Sequence, residues 1–199
     1  MSETLPDGRR LLLASASPFR RELLRRLGLP FTVQASEVDE THLPGEEAPA
    51  LVVRLAEQKA RAVARSAPDA LIIGSDQVAV LDGSLLGKPG DHPRAVAQLQ
   101  QASERTVLFY TGLCLLDSAS EQCQVAVEEF QVVFRSLTAT MIETYLRREQ
   151  PYQCAGSFKS EGLGIALFER LEGDDPTSLI GLPLIRLTRM LEAAGAAVL

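Results

Sequence analysis

The sequence predicts a mixed α/β protein, built as a single domain over residues 1–199. Three observations carry that expectation. The chain opens on a short apolar run, a serine-rich turn and an amphipathic stretch, the strand–turn–helix start of an α/β fold. Downstream, apolar runs of strand length alternate with stretches whose apolar residues recur at helical spacing. The length and a 46% apolar composition suffice for a core, and no repeat, low-complexity tract or clear linker interrupts the pattern.

Taken in order, residues 11–14 read as a buried first strand. Ser17 as N-cap and Pro18 at the first helical position start a helix over residues 19–27, in which Leu23, Leu24 and Leu27 keep helical spacing until Gly28 ends it. Residues 31–33 are a candidate second strand, followed by the acidic Glu37-Val38-Asp39-Glu40 and a segment containing Pro and Gly through Pro49. Residues 50–66 form an amphipathic helix with Leu51, Val52, Leu55 and Val63 on one side. Leu71-Ile72-Ile73 reads as a strand ending at Gly74-Ser75-Asp76-Gln77 and resumed by residues 78–81, with Asp82-Gly83 as a hairpin turn. A helix over 93–102 and long strands over 106–116 and 124–134 come next, then a helix over 138–148. Residues 152–164 read as a loop and 165–168 as a short strand, and a last helix runs from Pro183 to about Ala194.

Composition narrows the function. No apolar run approaches the ~20 residues that span a membrane. The polar start, residues 1–10, and the short run after it do not make a signal peptide, so a cytoplasmic protein is expected. Three cysteines, Cys114, Cys123 and Cys154, show no metal spacing and no disulfide framework; Cys114, in an apolar run, is expected to be a buried thiol. A net charge of −6 disfavours nucleic acid, whose phosphates demand clustered Lys and Arg. It leaves room for a phosphorylated small molecule met by a few local cations and a divalent metal.

Four places could carry such chemistry. The turn Ser15-Ala16-Ser17-Pro18-Phe19-Arg20 offers helix N-terminal N–H groups, two hydroxyls and a guanidinium to phosphate oxygens, or is an ordinary capped helix with solvated arginines. Asp76 follows an apolar strand, where α/β ligand clefts form, and could bind a metal or activate water, or be a turn aspartate bonded to its own backbone. Lys59 lies on the buried side of its helix with Leu51 and Leu55, either paired with an anion or snorkelling to water. Gly83-Ser84-Leu85-Leu86-Gly87-Lys88-Pro89 lacks the spacing and the Ser or Thr of a P-loop, but leaves Lys88 as a phosphate ligand on a rigid loop.

In their order these blocks resemble the Maf-like nucleotide pyrophosphatases. The resemblance rests on Leu12-Leu13-Ala14-Ser15-Ala16-Ser17-Pro18, Val38-Asp39-Glu40, Leu55-Ala56-Glu57-Gln58-Lys59-Ala60, Ile73-Gly74-Ser75-Asp76-Gln77-Val78, Gly87-Lys88-Pro89 and Tyr152-Gln153-Cys154-Ala155-Gly156-Ser157-Phe158. It implies an elongated mixed central sheet flanked by helices, with two lobes around a nucleotide cleft. It implies hydrolysis of a nucleoside triphosphate between the α and β phosphates, with Asp76 as catalytic base. Glu40 and Asp76 would hold a divalent cation, Mg or Mn, with Asp39 close enough to contribute. Ser15, Arg20, Lys59 and Lys88 match phosphate-binding positions, and a homodimer is suggested.

The departures point to a branch. Phe19 replaces the first arginine of a Ser-Pro-Arg-Arg motif, Gln77 replaces threonine, and Glu161 replaces a glutamine of the pyrimidine-nucleotide branch. These three resemble the branch acting on 7-methyl-GTP. A face such as Phe19 would gain ~1–2 kcal/mol against the cationic methylated ring, and Glu161 could accept from guanine N1–H and the exocyclic amine. The alternatives are a pyrophosphatase of the same family acting on dTTP and UTP, and a nucleotide-binding regulator of division without turnover.

Overall fold

The computed structural model describes residues 4–199, so Met1 to Glu3 of the polar start lie outside the described residues. It is a mixed α/β structure with a seven-stranded sheet and five α-helices among the described residues. The elements are β1 (Arg10–Leu13), α1 (Pro18–Arg25), β2 (Thr32–Val33), α2 (Ala48–Ala64), β3 (Ala70–Leu81), β4 (Ser84–Leu86), α3 (His92–Ala102), β5 (Thr106–Asp117), β6 (Cys123–Phe134), α4 (Ala139–Glu149), β7 (Phe168–Gly173) and α5 (Leu184–Ala193). The strand order is β2-β1-β3-β5-β6-β7, with β4 paired to β3. β1 runs parallel to β2 and β3, whereas β4 is antiparallel to β3 and β7 to β6.

The chain divides into two compact units. The first runs through Gln77 and includes Thr111–Glu128 and Asp175–Leu199; the second is Val78–Tyr110 with Glu129–Asp174. In the first unit, strand alternation splits the core cleanly. Leu11, Leu13, Leu71, Ile73, Leu113 and Leu115 pack with Leu23 and Leu24 of α1 and with Leu187 and Leu191 of α5. Their neighbours Leu12, Ala14, Ile72, Cys114 and Leu116 pack with Ala56, Ala60 and Val63 of α2 on the other face. Cys114 is buried as expected, and its Sγ lies 3.3 Å from that of Cys123, both being free thiols. In the second unit α3 packs on α4, and Phe158 stands edge-on to Phe109, Phe134 and Phe168 with ring centroids 5.3, 5.6 and 4.9 Å apart. No helix among the described residues is long and apolar enough to cross a membrane.

Several boundaries differ from the sequence expectation for physical reasons. α2 starts at Ala48 because Pro49 suits its first turn. Pro183 stands at the N-cap position just before α5 rather than in its first turn. The strand expected over 165–168 is a 3-10 turn, Leu163–Leu167, because Gly164 tucks against the Lys159 carbonyl. The strand follows as β7, whose exposed Glu169, Arg170 and Glu172 protect an edge and mask its pattern. The largest difference concerns Gly74-Ser75-Asp76-Gln77. It does not end a strand; β3 passes straight through it.

Candidate active site

Because β3 is continuous, its side chains alternate through the polar stretch as they do through the apolar one. Gly74 and Asp76 face α2, and Ser75 and Gln77 face the loop that precedes α5. Gly74 sits directly under the helix: a Cβ there would lie 2.0 Å from the Ala56 carbonyl oxygen. That close approach lowers α2 onto the strand and brings Lys59, one turn beyond Ala56, to Asp76.

Lys59 is only 7% exposed, so the ammonium does not snorkel to water. Its Nζ donates to Asp76 Oδ1 at 2.6 Å and pairs with Glu40 Oε1 at 2.6 Å. Two carboxylates therefore converge on one buried cation. Asp76 is itself 8% exposed, and its carboxylate is held by α2 rather than by its own backbone. Removing one partner of such a buried pair costs about 3–5 kcal/mol, so the arrangement fixes Asp76 in place.

On the opposite face a single loop collects the remaining polar groups. Ser178 O accepts from Gln77 Nε2 at 2.7 Å and Thr111 Oγ1 at 2.9 Å, and Leu179 O accepts from Gln77 at 3.1 Å. Gly181 O accepts from Ser75 Oγ at 2.9 Å and from Arg20 Nε at 2.8 Å. Arg20 Nη1 also reaches Ser15 Oγ at 3.4 Å, and Ser15 Oγ accepts from the Ser17 N–H at 3.1 Å. Ser17 caps α1 as expected, with its side chain accepting from Arg20 N. No acidic residue sits in that first turn, which leaves its positive end to an anion. Burial pulls the Arg20 guanidinium below its ordinary pKa, while the charges of Asp76 and Glu40 pull it back up. Phe19, on the same turn, is half-buried.

The loop before α5 is tied down by a residue that sequence reasoning missed. Asp175 is 3% exposed and accepts from Thr177 N at 3.0 Å, Thr177 Oγ1 at 2.6 Å and Ile185 N at 2.7 Å. It thus caps α5 from ten residues away while shaping the turn that presents Ser178 and Gly181. The only signal in the sequence was an Asp-Pro-Thr-Ser turn motif, Asp175-Pro176-Thr177-Ser178.

The acidic loop carrying Glu40 is anchored by another pair missing from the sequence reading. Arg54 of α2 grips Glu46 with Nε at 2.6 Å and Nη2 at 2.8 Å, and its Nη2 also donates to Thr41 O at 3.1 Å. Asp39 Oδ1 accepts from Thr41 N at 2.9 Å, closing a local turn next to Glu40. The Arg54 hydrogen bonds pull Glu46 from its ordinary value of 4.5 down to about 2. A depressed carboxylate stabilises the fold above its unfolded value, and that contribution fades as pH falls from 4.5 through about 2. The Glu46→Gln variant should therefore unfold at lower urea than the parent at pH 7, with the gap closing towards pH 2. A gap that stays constant with pH contradicts this role.

In the second unit, Lys88 and Glu161 are both exposed. Lys88 lies in a loop whose Gly87 O accepts from Gln98 Nε2 at 3.0 Å and whose Gly90 N donates to Tyr152 O at 2.9 Å. Glu161 sits on a turn held by Glu149, which receives Lys159 Nζ at 3.3 Å and Leu163 N at 3.0 Å. The structure therefore brings Glu40, Lys59 and Asp76 together in the first unit, with Ser15, Arg20 and Gln77 set around the loop before α5. Lys88 and Glu161 belong to the second.

A family model for Maf-like proteins matches residues 10–194. A 7-methyl-GTP pyrophosphatase of Nitrosococcus oceani is 61% identical over 189 residues, covering 95% of each chain. A 7-methyl-GTP pyrophosphatase of Pseudomonas fluorescens is 60% identical over 185 residues, covering 93% of this chain and 96% of that one. Among solved structures, the Staphylococcus aureus Ham1 protein is similar with a TM-score of 0.51 at 11% identity, covering 94% of this chain and all of that one, a likeness of fold alone.

Proposed function

The chain belongs to the Maf-like family, and on that premise we propose that it is a 7-methyl-GTP pyrophosphatase, hydrolysing its substrate to 7-methyl-GMP and diphosphate. The observation that carries the reading is the buried Lys59 shared by Glu40 and Asp76 at 2.6 Å each, an arrangement suited to a polyphosphate and a hard cation. Relatives of at least 53% identity that carry this activity in their names support the substrate.

In this reading water attacks the α-phosphorus, Asp76 takes the proton that the water sheds, and the bond to the bridging oxygen breaks to release diphosphate. Arg20 and Lys59 meet the charge that grows on the phosphate oxygens, and the family resemblance gives Lys88 a phosphate-binding role as well. Ser15 and the start of α1 add hydroxyl and N–H donors to the same task.

Two carboxylates are the share of the ligand set that magnesium or manganese takes from proteins when substrate phosphates and waters supply the rest. Glu40 and Asp76, already directed at one cationic point, fit that set. A divalent cation held there would supply neutralisation of phosphate charge. Lys59, which bridges the two carboxylates, would then turn its ammonium to the phosphates.

Phe19, Gln77 and Glu161 select the base in this reading. Phe19 faces the cationic ring and Glu161 accepts from the guanine N1–H and amine, while Gln77 fixes the loop through Ser178 and Leu179. The same resemblance carries a cytoplasmic homodimer working on a free nucleotide. Glu161→Gln should lower kcat/KM for 7-methyl-GTP relative to UTP by ~10-fold or more, the scale of one lost charged hydrogen bond. Unchanged selectivity in that variant overturns the role of Glu161.

A further inference from the structure

Two segments of the second unit carry motifs of the resemblance, Gly87-Lys88-Pro89 and Tyr152 to Phe158, and one side chain joins them. Gln98 lies on α3 beside the buried Ala95 and Leu99. Its Nε2 donates to Gly87 O at 3.0 Å, and its Oε1 accepts from Ser157 Oγ. The orientation of the amide is fixed by chemistry. A carbonyl can only accept, so the NH2 group must face Gly87, and the amide oxygen is left for the Ser157 hydroxyl.

Both ends of this bridge are themselves constrained. Ser157 is fully buried with φ of 64°, a left-handed conformation that L residues rarely adopt, following Gly156 at φ 72°. The next residue, Phe158, is locked among Phe109, Phe134 and Phe168. On the other side Lys88 and Pro89 are pinned at Gly87 by Gln98 and at Gly90 by the bond to Tyr152 O. Proline holds φ near its fixed value between those two anchors. The backbone of Lys88 therefore has little freedom, although its side chain is exposed.

We propose that Gln98 is a positioning residue that couples the buried Ser157 turn to the Gly87-Lys88-Pro89 loop and so sets where the Lys88 ammonium meets the substrate phosphates. This rests on the phosphate role given to Lys88 above. Gln98 touches no substrate in this account and acts only through Lys88.

The experiment compares Gln98→Met, Lys88→Ala and the double variant on 7-methyl-GTP, with backbone hydrogen exchange at Gly90 measured in parallel. Gln98→Met keeps the length of the side chain and the helix, and removes both hydrogen bonds. It should cost about 10- to 100-fold in kcat/KM, the scale of a small misplacement of a charged group. The double variant should be no worse than Lys88→Ala alone, and the Gly90 amide should exchange faster in Gln98→Met. Losses that multiply in the double variant overturn the coupling, since a merely structural defect adds to the loss of Lys88. Wild-type kcat/KM in Gln98→Met overturns it too.

If Gln98→Met does not fold, Gln98→Glu serves in its place. It retains an acceptor for Ser157 and loses the N–H for Gly87, and the same non-additivity with Lys88→Ala is expected. Full turnover in Lys88→Ala removes the role of both residues while leaving the Asp76-dependent reaction standing. If the parent protein releases no diphosphate at all, the activity falls, and the exchange at Gly90 then decides the coupling by itself. Unchanged exchange there overturns it.

Discussion

Asp76→Asn should fold and should lose turnover by at least ~10²–10⁴-fold, the range that a positioned general base supplies. The asparagine keeps the volume of the side chain and an oxygen for Lys59 Nζ, now 2.6 Å from Asp76 Oδ1. Lys59 also keeps Glu40 at 2.6 Å, so the ammonium is not left buried and unpaired. What disappears is the negative charge that can take a proton from water and hold a divalent cation. The measurement is diphosphate release together with thermal unfolding of the same preparation. A folded Asp76→Asn protein with more than a tenth of the parent activity contradicts the role of Asp76.

Gly74→Ala should destabilise the fold strongly. The new Cβ would lie 2.0 Å from Ala56 O and 3.0 Å from Ala60 N, both backbone atoms of α2. No rotamer change relieves such a contact, so the helix must lift off β3. Overpacking costs ~1–3 kcal/mol and more where backbone must move. For a chain of this size a loss of ~3 kcal/mol lowers Tm by roughly 6–12 °C. Because Lys59 sits between Ala56 and Ala60 along the helix, lifting α2 also draws Nζ away from Asp76. Turnover should fall with stability, by ~10²-fold. A Gly74→Ala protein with parental Tm contradicts the close packing of α2 on β3. Gly112, whose Cβ would lie 2.1 Å from Val52 O, seats the same helix on β5.

The same two elements explain what the sequence could and could not disclose. The capping of α1 by Ser17 and Pro18 was legible because caps are local chemistry. The buried position of Lys59 was legible from its register with Leu51 and Leu55, but its partners were not, since pairing depends on which strand lies beneath the helix. Gly74-Ser75-Asp76-Gln77 misled because glycine, serine and aspartate favour turns when nothing else is known. Here tertiary contacts override that preference: the glycine admits the helix, and each polar side chain finds a partner off the strand. Asp175 escaped notice because its role is to satisfy N–H groups ten residues away, a relation with no short-range pattern. Gln98 escaped for the same reason, as a polar residue on a helix reads as solvated until Gly87 and Ser157 are seen on either side of it.

That this chain releases diphosphate from 7-methyl-GTP with Asp76 as its base is a claim a substrate panel can decide. Purified protein with Mg²⁺ or Mn²⁺ would be offered 7-methyl-GTP, GTP, dTTP, UTP and CTP, with Asp76→Asn alongside. The expected result is highest kcat/KM for 7-methyl-GTP, with 7-methyl-GMP and diphosphate as products and release by the variant lower by at least ~10²-fold. Preference for dTTP or UTP would contradict the assignment of Phe19, Gln77 and Glu161, and absence of release from every nucleotide would contradict the claim itself.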